Sequence, residues 1–151
     1  MKKVIAAAIL AGVAGSVLAQ QALKPEEMIK TRKAAYGFMA WNMGKIKSNL
    51  DGGFNKEQVA AAGAAVAAVA NSGLGALFGP GSERDVGDQK TRVKPEFFQQ
   101  PDKVRELAVN FSKEANELAR LAAAGDAAAI KTQFGKTGAT CKACHDSFRK
   151  D

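Results

Sequence analysis

The sequence predicts an all-α fold, an antiparallel four-helix bundle with a long connection between helices 2 and 3. Three observations carry this. Apolar residues recur at i, i+3 and i+4 in four stretches, and no stretch alternates with the period of two that a half-buried strand requires. Proline, asparagine, aspartate and glycine stand where helices start and stop. The intervals between the stretches run short, long, short, so two hairpins are joined by one crossover.

The first helix is expected from about Pro25 to Leu50. Proline followed by Glu26 and Glu27 is a favourable helix start. Its apolar stripe runs Ile29, Arg32, Tyr36, Met39/Ala40, Met43 and Leu50, and Asp51-Gly52-Gly53 breaks it. The second helix begins after Asn55, a capping residue with Gln58 in capping-box position, and reaches about Ser72. Its middle, Ala60 to Ala70, consists entirely of alanine, glycine and valine. Alanine is the best helix former, so this is a helix whose small side chains let a neighbour come close.

Gly73 to Lys94 forms the crossover, and Pro95-Glu96-Phe97-Phe98 adds a short helical turn. The third helix opens at Pro101-Asp102 and buries Val104, Leu107/Ala108, Phe111, Ala115, Leu118 and Leu121/Ala122. Gly125 stops it in the usual place for a left-handed cap. Asp126 caps the fourth helix, which runs to about Arg149.

Residues 1–19 read as an export signal. Lys2 and Lys3 precede the apolar run Val4 to Val13, and Val17-Leu18-Ala19 is a small-residue cleavage site. The run is too short and glycine-interrupted for a membrane span, so the protein is not expected to be membrane-embedded. The remaining residues 20–151 suit one domain with one core. Net charge is +7, or +5 once Lys2 and Lys3 are removed. That suits acidic partners in the periplasm. Nucleic acid is excluded by export and by the lack of a basic–aromatic stripe.

Chemistry concentrates in Cys141-Lys142-Ala143-Cys144-His145, which contains both cysteines and the only histidine. Cys-x-x-Cys-His is the attachment signature of haem c, with two thioether bonds and an adjacent axial imidazole. A disulfide needs no histidine there, a thioredoxin-like pair belongs in a βαβ pattern, and a structural zinc site would be one ligand short. At 100° per residue, Phe134, Gly138, Cys144, His145 and Phe148 all fall within about 60° of Cys141. The motif thus lies on the inward face of the last helix. His145 being spent as axial ligand, no second histidine serves the other face. An arginine on an apolar stripe calls for an anion, and a haem propionate is the natural partner of Arg32. Methionine is the alternative sixth ligand, from Met28, Met39 or Met43, and would give a low-spin electron carrier. Met39 is one turn past Tyr36, and is expected to line the ring edge instead.

These residues resemble the cytochrome c′ family, the class II c-type cytochromes. The likeness runs through residues 20–151. It includes Lys24-Pro25-Glu26, Arg32, Phe78-Gly79-Pro80-Gly81 and Gly135 through Arg149, and Cys141 to Asp146 followed by Phe148-Arg149 is its most specific part. The resemblance implies one covalently attached haem c per chain, a pentacoordinate high-spin iron, and binding of nitric oxide and carbon monoxide. It implies His145 as proximal ligand, Arg149 near the proximal pocket, and Tyr36 over the distal face, four residues after the arginine. Phe78 and Phe148 complete the expected haem contacts. Tyr36 is expected to pack as a lid, since no base nearby would deprotonate it.

The family also forms dimers through its first two helices. Ala34, Gly37, Phe38 and Trp41 lie opposite the stripe and are the expected interface, or else pack on another helix of the same subunit. A peroxidase-like enzyme would want a distal histidine–arginine pair, and the one histidine is already used, so no enzyme is expected. The implied partners are small diatomic gases and a periplasmic redox protein that the sequence does not name.

Overall fold

The computed structural model describes residues 23–150. The expected export signal lies outside the described residues. Four long helices, α1 (Pro25–Asp51), α2 (Lys56–Ala70), α4 (Pro101–Ala124) and α5 (Ala127–Phe148), form the bundle. The short helix α3 (Glu96–Gln99) follows the crossover. No strand occurs among the described residues, only isolated bridges at Val86–Gln89 and Val93–Arg149.

Each helix end has a local cause. At α1, Pro25 occupies the first turn and the Glu27 carboxylate accepts from the Lys24 backbone N–H at 3.0 Å. The Asn55 side chain accepts from the Gln58 N–H at 2.9 Å. The returning half of that capping box is not supplied by Gln58. Asn55 N–H donates instead to Asn49 at 2.9 Å, because buried Asn49 reaches across the α1–α2 turn. Gly125 takes φ +86°, a left-handed conformation costly for other residues, and its N–H closes α4 on the Leu121 carbonyl. Asp126 then accepts from the N–H groups of Ala128 and Ala129.

The apolar core sits at one end of the bundle. Ile46, Val59, Ala62, Leu118, Ala122 and Ile130 are fully buried there, with Met43, Leu50, Leu121 and Phe134 packed against them. Each fully buried large aliphatic contributes about 1.5–3 kcal/mol. Ile46 belongs to this core although the expected stripe omits it, and Ala40 from that stripe is exposed. Small residues serve the helix-to-helix approach: a Cβ on Gly63 would lie 2.9 Å from Ala122 Cβ and 3.2 Å from Ala119 Cα. Helices α1 and α5 touch only sparsely, whereas α2–α4 and α4–α5 pack closely. The attachment motif lies toward the C-terminal end of α5, away from the aliphatic core.

Because Gly63 faces backbone as well as a methyl, the helices cannot absorb a larger side chain there. Gly63→Val is expected to lower unfolding free energy by about 1–3 kcal/mol, measured as a fall in the urea midpoint at unchanged slope.

Candidate functional site

Helix α5 carries Cys141, Cys144 and His145 within two turns of each other, inside the helix and near its C-terminal end. Both cysteines are free and half-buried. Burial raises both thiol pKa values, and at Cys144 the neighbouring Cys141 adds to the effect. His145 is exposed, and its Nδ1 lies 3.4 Å from Arg149 Nη1, one turn on.

Tyr36, on α1, stands across from these residues. Its phenol is pushed up to about 12 by burial first, then by the Cys144 thiol, with Arg32 opposing and Cys141 adding. The residue is nonetheless 42% exposed, so it is not a closed core tyrosine. Its edge meets Phe78 at 6.5 Å between centroids. Phe78 stacks on Phe97 at 4.4 Å, and Phe97 meets Phe148 edge-on at 5.5 Å. An aromatic chain therefore runs from α1, through the crossover and α3, to buried Phe148 on α5.

Arg32 organises the crossover. It is buried, and its four terminal N–H groups have partners: Leu77 O at 2.9 Å and Ser82 Oγ at 2.8 Å from Nη1, Ser82 O at 2.6 Å and Thr91 Oγ1 at 2.7 Å from Nη2. The guanidinium also lies 4.6 Å over the Phe78 ring. The guanidinium thus has protein partners that the sequence did not point to. Neutral carbonyls and hydroxyls satisfy the terminal donors, which leaves only Nε–H for any propionate. Burial lowers its pKa, but an arginine remains charged.

Met28 packs against the crossover, its Sδ and Cε lying 2.9 Å from where a side chain on Gly79 would begin. Met43 packs on the apolar core. Of the three candidate sulfur ligands, only buried Met39 sits beside Tyr36. Phe38 and Trp41 stack on each other at 5.9 Å and are 50% and 58% exposed, so they do not pack on another helix of their own subunit. Sequence reasoning missed Ser82, Thr91 and the stacking role of Phe97. Ser82 and Thr91 are ordinary polar loop residues until Arg32 is placed, and no pattern in the chain marks them.

The residues fit haem c. Two thiols and an imidazole lie on one helical face, beside a cleft lined by aromatic rings. Among the described residues no group of three or more His, Cys, Asp or Glu could hold a bare metal ion. No helix among the described residues is long and apolar enough to cross a membrane. Fold and site together define a haem-attaching four-helix bundle of the c-type cytochrome kind.

Comparison with known proteins agrees. The family model for cytochrome c′ matches residues 27–149. The chain is 56% identical over 138 residues to the cytochrome c′ of Allochromatium vinosum, covering 91% of this chain and 89% of that one. It superposes on the crystal structure of cytochrome c′ from Thermochromatium tepidum with a TM-score of 0.84 at 56% identity, over 86% of this chain and 99% of that one. A cytochrome c′ described as having ligand-controlled dimer dissociation gives 0.85 at 57% identity, over 85% and 98%. The chain belongs to the cytochrome c′ family.

Removing the Arg32 fork leaves the Ser82 and Leu77 carbonyls and two hydroxyls without their donor. Arg32→Ala is expected to cost about 1–3 kcal/mol, and Arg32→Lys to recover little of it, since an ammonium cannot reproduce the planar fork. Thermal unfolding checks this against Lys47→Ala, which breaks only an exposed pair with Asp51 and should leave the midpoint essentially unchanged.

Proposed function

We propose that this protein is an exported, periplasmic haem protein that binds small diatomic gases at an iron with one protein ligand. Cys141 and Cys144 hold one haem c per chain through thioethers, and His145 supplies the axial nitrogen. The haem, when bound, offers a redox-active iron able to take nitric oxide or carbon monoxide. The observation that carries the reading is Tyr36 on α1 standing opposite the attachment motif on α5, where methionine or histidine would be needed for a sixth ligand. Met28 and Met43 are engaged elsewhere, which favours an open iron over a methionine-ligated carrier. Two solved relatives at 29% identity, both variants of the Alcaligenes xylosoxidans cytochrome c′, carry carbon monoxide in one case and nitric oxide in the other.

The chain's own residues do the selecting. Tyr36 crowds the approach to the iron and excludes bulky or charged ligands. Phe78, edge-on to Tyr36, limits how far that ring can swing. Phe148 and Phe97 keep water from the cleft on the α5 side. With its one histidine used as ligand, the site lacks a distal acid–base pair, so the role is binding and electron transfer with a periplasmic redox protein, not catalysis. Arg32 can still offer Nε–H to a propionate, and Met39 lines the ring edge.

The visible spectrum of the purified protein tests this. High-spin ferric bands are expected, and Tyr36→Ala should raise carbon monoxide affinity roughly tenfold or more, a change of about 1.4 kcal/mol. A red methionine-to-iron charge-transfer band, abolished in Met39→Ala, would replace the reading with the low-spin carrier. Cys141→Ala or Cys144→Ala should weaken covalent retention of haem on denaturing gels.

The exposed Phe38–Trp41 pair, with Lys45 Nζ 4.8 Å over the indole, supports a homodimer through α1 and α2. Large exposed aromatics at such a patch mark an association surface. Trp41→Lys is expected to shift sedimentation toward the monomer while leaving the spectrum unchanged, and carbon monoxide should do the same to the parent protein if Tyr36 displacement reaches this face.

A further inference from the structure

We propose that the pocket on the Nδ1 side of His145 binds a small polyanion bearing phosphate or carboxylate groups, and that this anion completes the environment of the axial imidazole. The inference rests on His145 being the haem ligand. The pocket, about 460 Å³, is lined by Arg92, Lys94, His145, Asp146, Arg149 and Lys150.

Backbone pairing fixes this cluster in place. Lys94 N–H donates to Phe148 O at 2.8 Å and Lys150 N–H to Arg92 O at 2.7 Å, so the end of the crossover is bridged to the segment after α5. The bridge brings Arg92 beside Lys150, with Lys94 and Arg149 next to them. Like charges set side by side on paired backbone repel. Among the described residues, none of the four forms an ion pair. Lys94 Nζ reaches only the Asp146 carbonyl, at 3.3 Å. The one carboxylate on the pocket wall among the described residues, Asp146, is already held by Lys142 at 2.6 Å. Among the described residues the cluster is a net cationic concavity, with Arg92, Lys94, Arg149 and Lys150 set against Asp146 alone on its wall.

The imidazole gives a second, independent reason. A metal-ligating histidine almost always donates its other ring N–H to an acceptor, which fixes the ring and sets its basicity. At His145 the side chain facing Nδ1 is the Arg149 guanidinium, 3.4 Å away, and a guanidinium has no acceptor to offer. Ligation through Nε2 therefore leaves two donors directed at one space. An oxyanion oxygen there accepts from both and takes charge-assisted bonds from the surrounding cations. The pocket exceeds what one tetrahedral anion fills, which points to a ligand with two or more anionic groups.

The test uses the haem-loaded protein, its covalent haem first verified by mass, so that a failure of the haem reading shows itself separately. Sodium pyrophosphate and sodium citrate are titrated by calorimetry at constant ionic strength set with sodium chloride, and the hyperfine-shifted ring N–H resonance of His145 is followed in parallel. One-site binding of either probe is expected, with that resonance moving at the same midpoint, and the tighter probe names the ligand chemistry. Arg92→Gln and Arg149→Gln should each weaken binding roughly tenfold or more, while Lys113→Gln, exposed on α4, leaves it unchanged. The proposal is overturned if neither probe binds, if Lys113→Gln weakens binding as much as the pocket variants, or if the resonance stays put while heat is released.

Discussion

A single buried guanidinium holds the working end of this bundle together. Arg32 lies one turn from Tyr36 on α1, and it gathers Leu77, Ser82 and Thr91 from a crossover that is otherwise irregular. These partners are 45 to 59 residues away in sequence, so the contact closes a long loop whose entropy local turns alone would not offset. The crossover in turn carries Phe78, and Phe78 sets the edge against which Tyr36 rests. The placement of Phe78 beside Tyr36 depends on that fork of hydrogen bonds, while the end of the crossover is tied to α5 by its own backbone pairing.

The bundle is divided by task along its length. At the end containing the Asn55 and Gly125–Asp126 turns, aliphatic side chains from all four long helices interdigitate, and Gly63 lets α2 and α4 approach closely. At the other end α1 and α5 diverge, and the space is managed by aromatic rings, one cation and the returning crossover. An interior of rings and polar anchors suits a flat cofactor better than interlocked aliphatics would, because rings offer broad faces and edges at fixed angles.

Much of this was legible in the sequence, and for definite reasons. Helix ends were readable because Pro25, Asn55, Gly125 and Asp126 act locally, through backbone geometry and N–H groups two or three residues away. The attachment motif was readable because Cys141, Cys144 and His145 are the whole supply of their kinds. Opposing Tyr36 to that motif needed the family likeness together with helical phase. What was not legible is long-range. Arg32 looked short of an anion because its acceptors, two carbonyls and two hydroxyls, come from distant loop positions with no pattern. Asn49 displaced Gln58 from the capping box for the same reason. Phe97 read as part of a short turn, yet tertiary stacking makes it the link between Phe78 and Phe148.

The separation of the aliphatic core from the cleft has an evolutionary consequence. The aliphatic core around Ile46 and Leu118 shares no partner with Tyr36, so substitutions in that core and at Tyr36 should be close to additive. A descendant can exchange the part-exposed Tyr36 for another side chain without eroding the aliphatic packing that keeps it folded. The scaffold is thereby open to variation at the one place where variation changes chemistry.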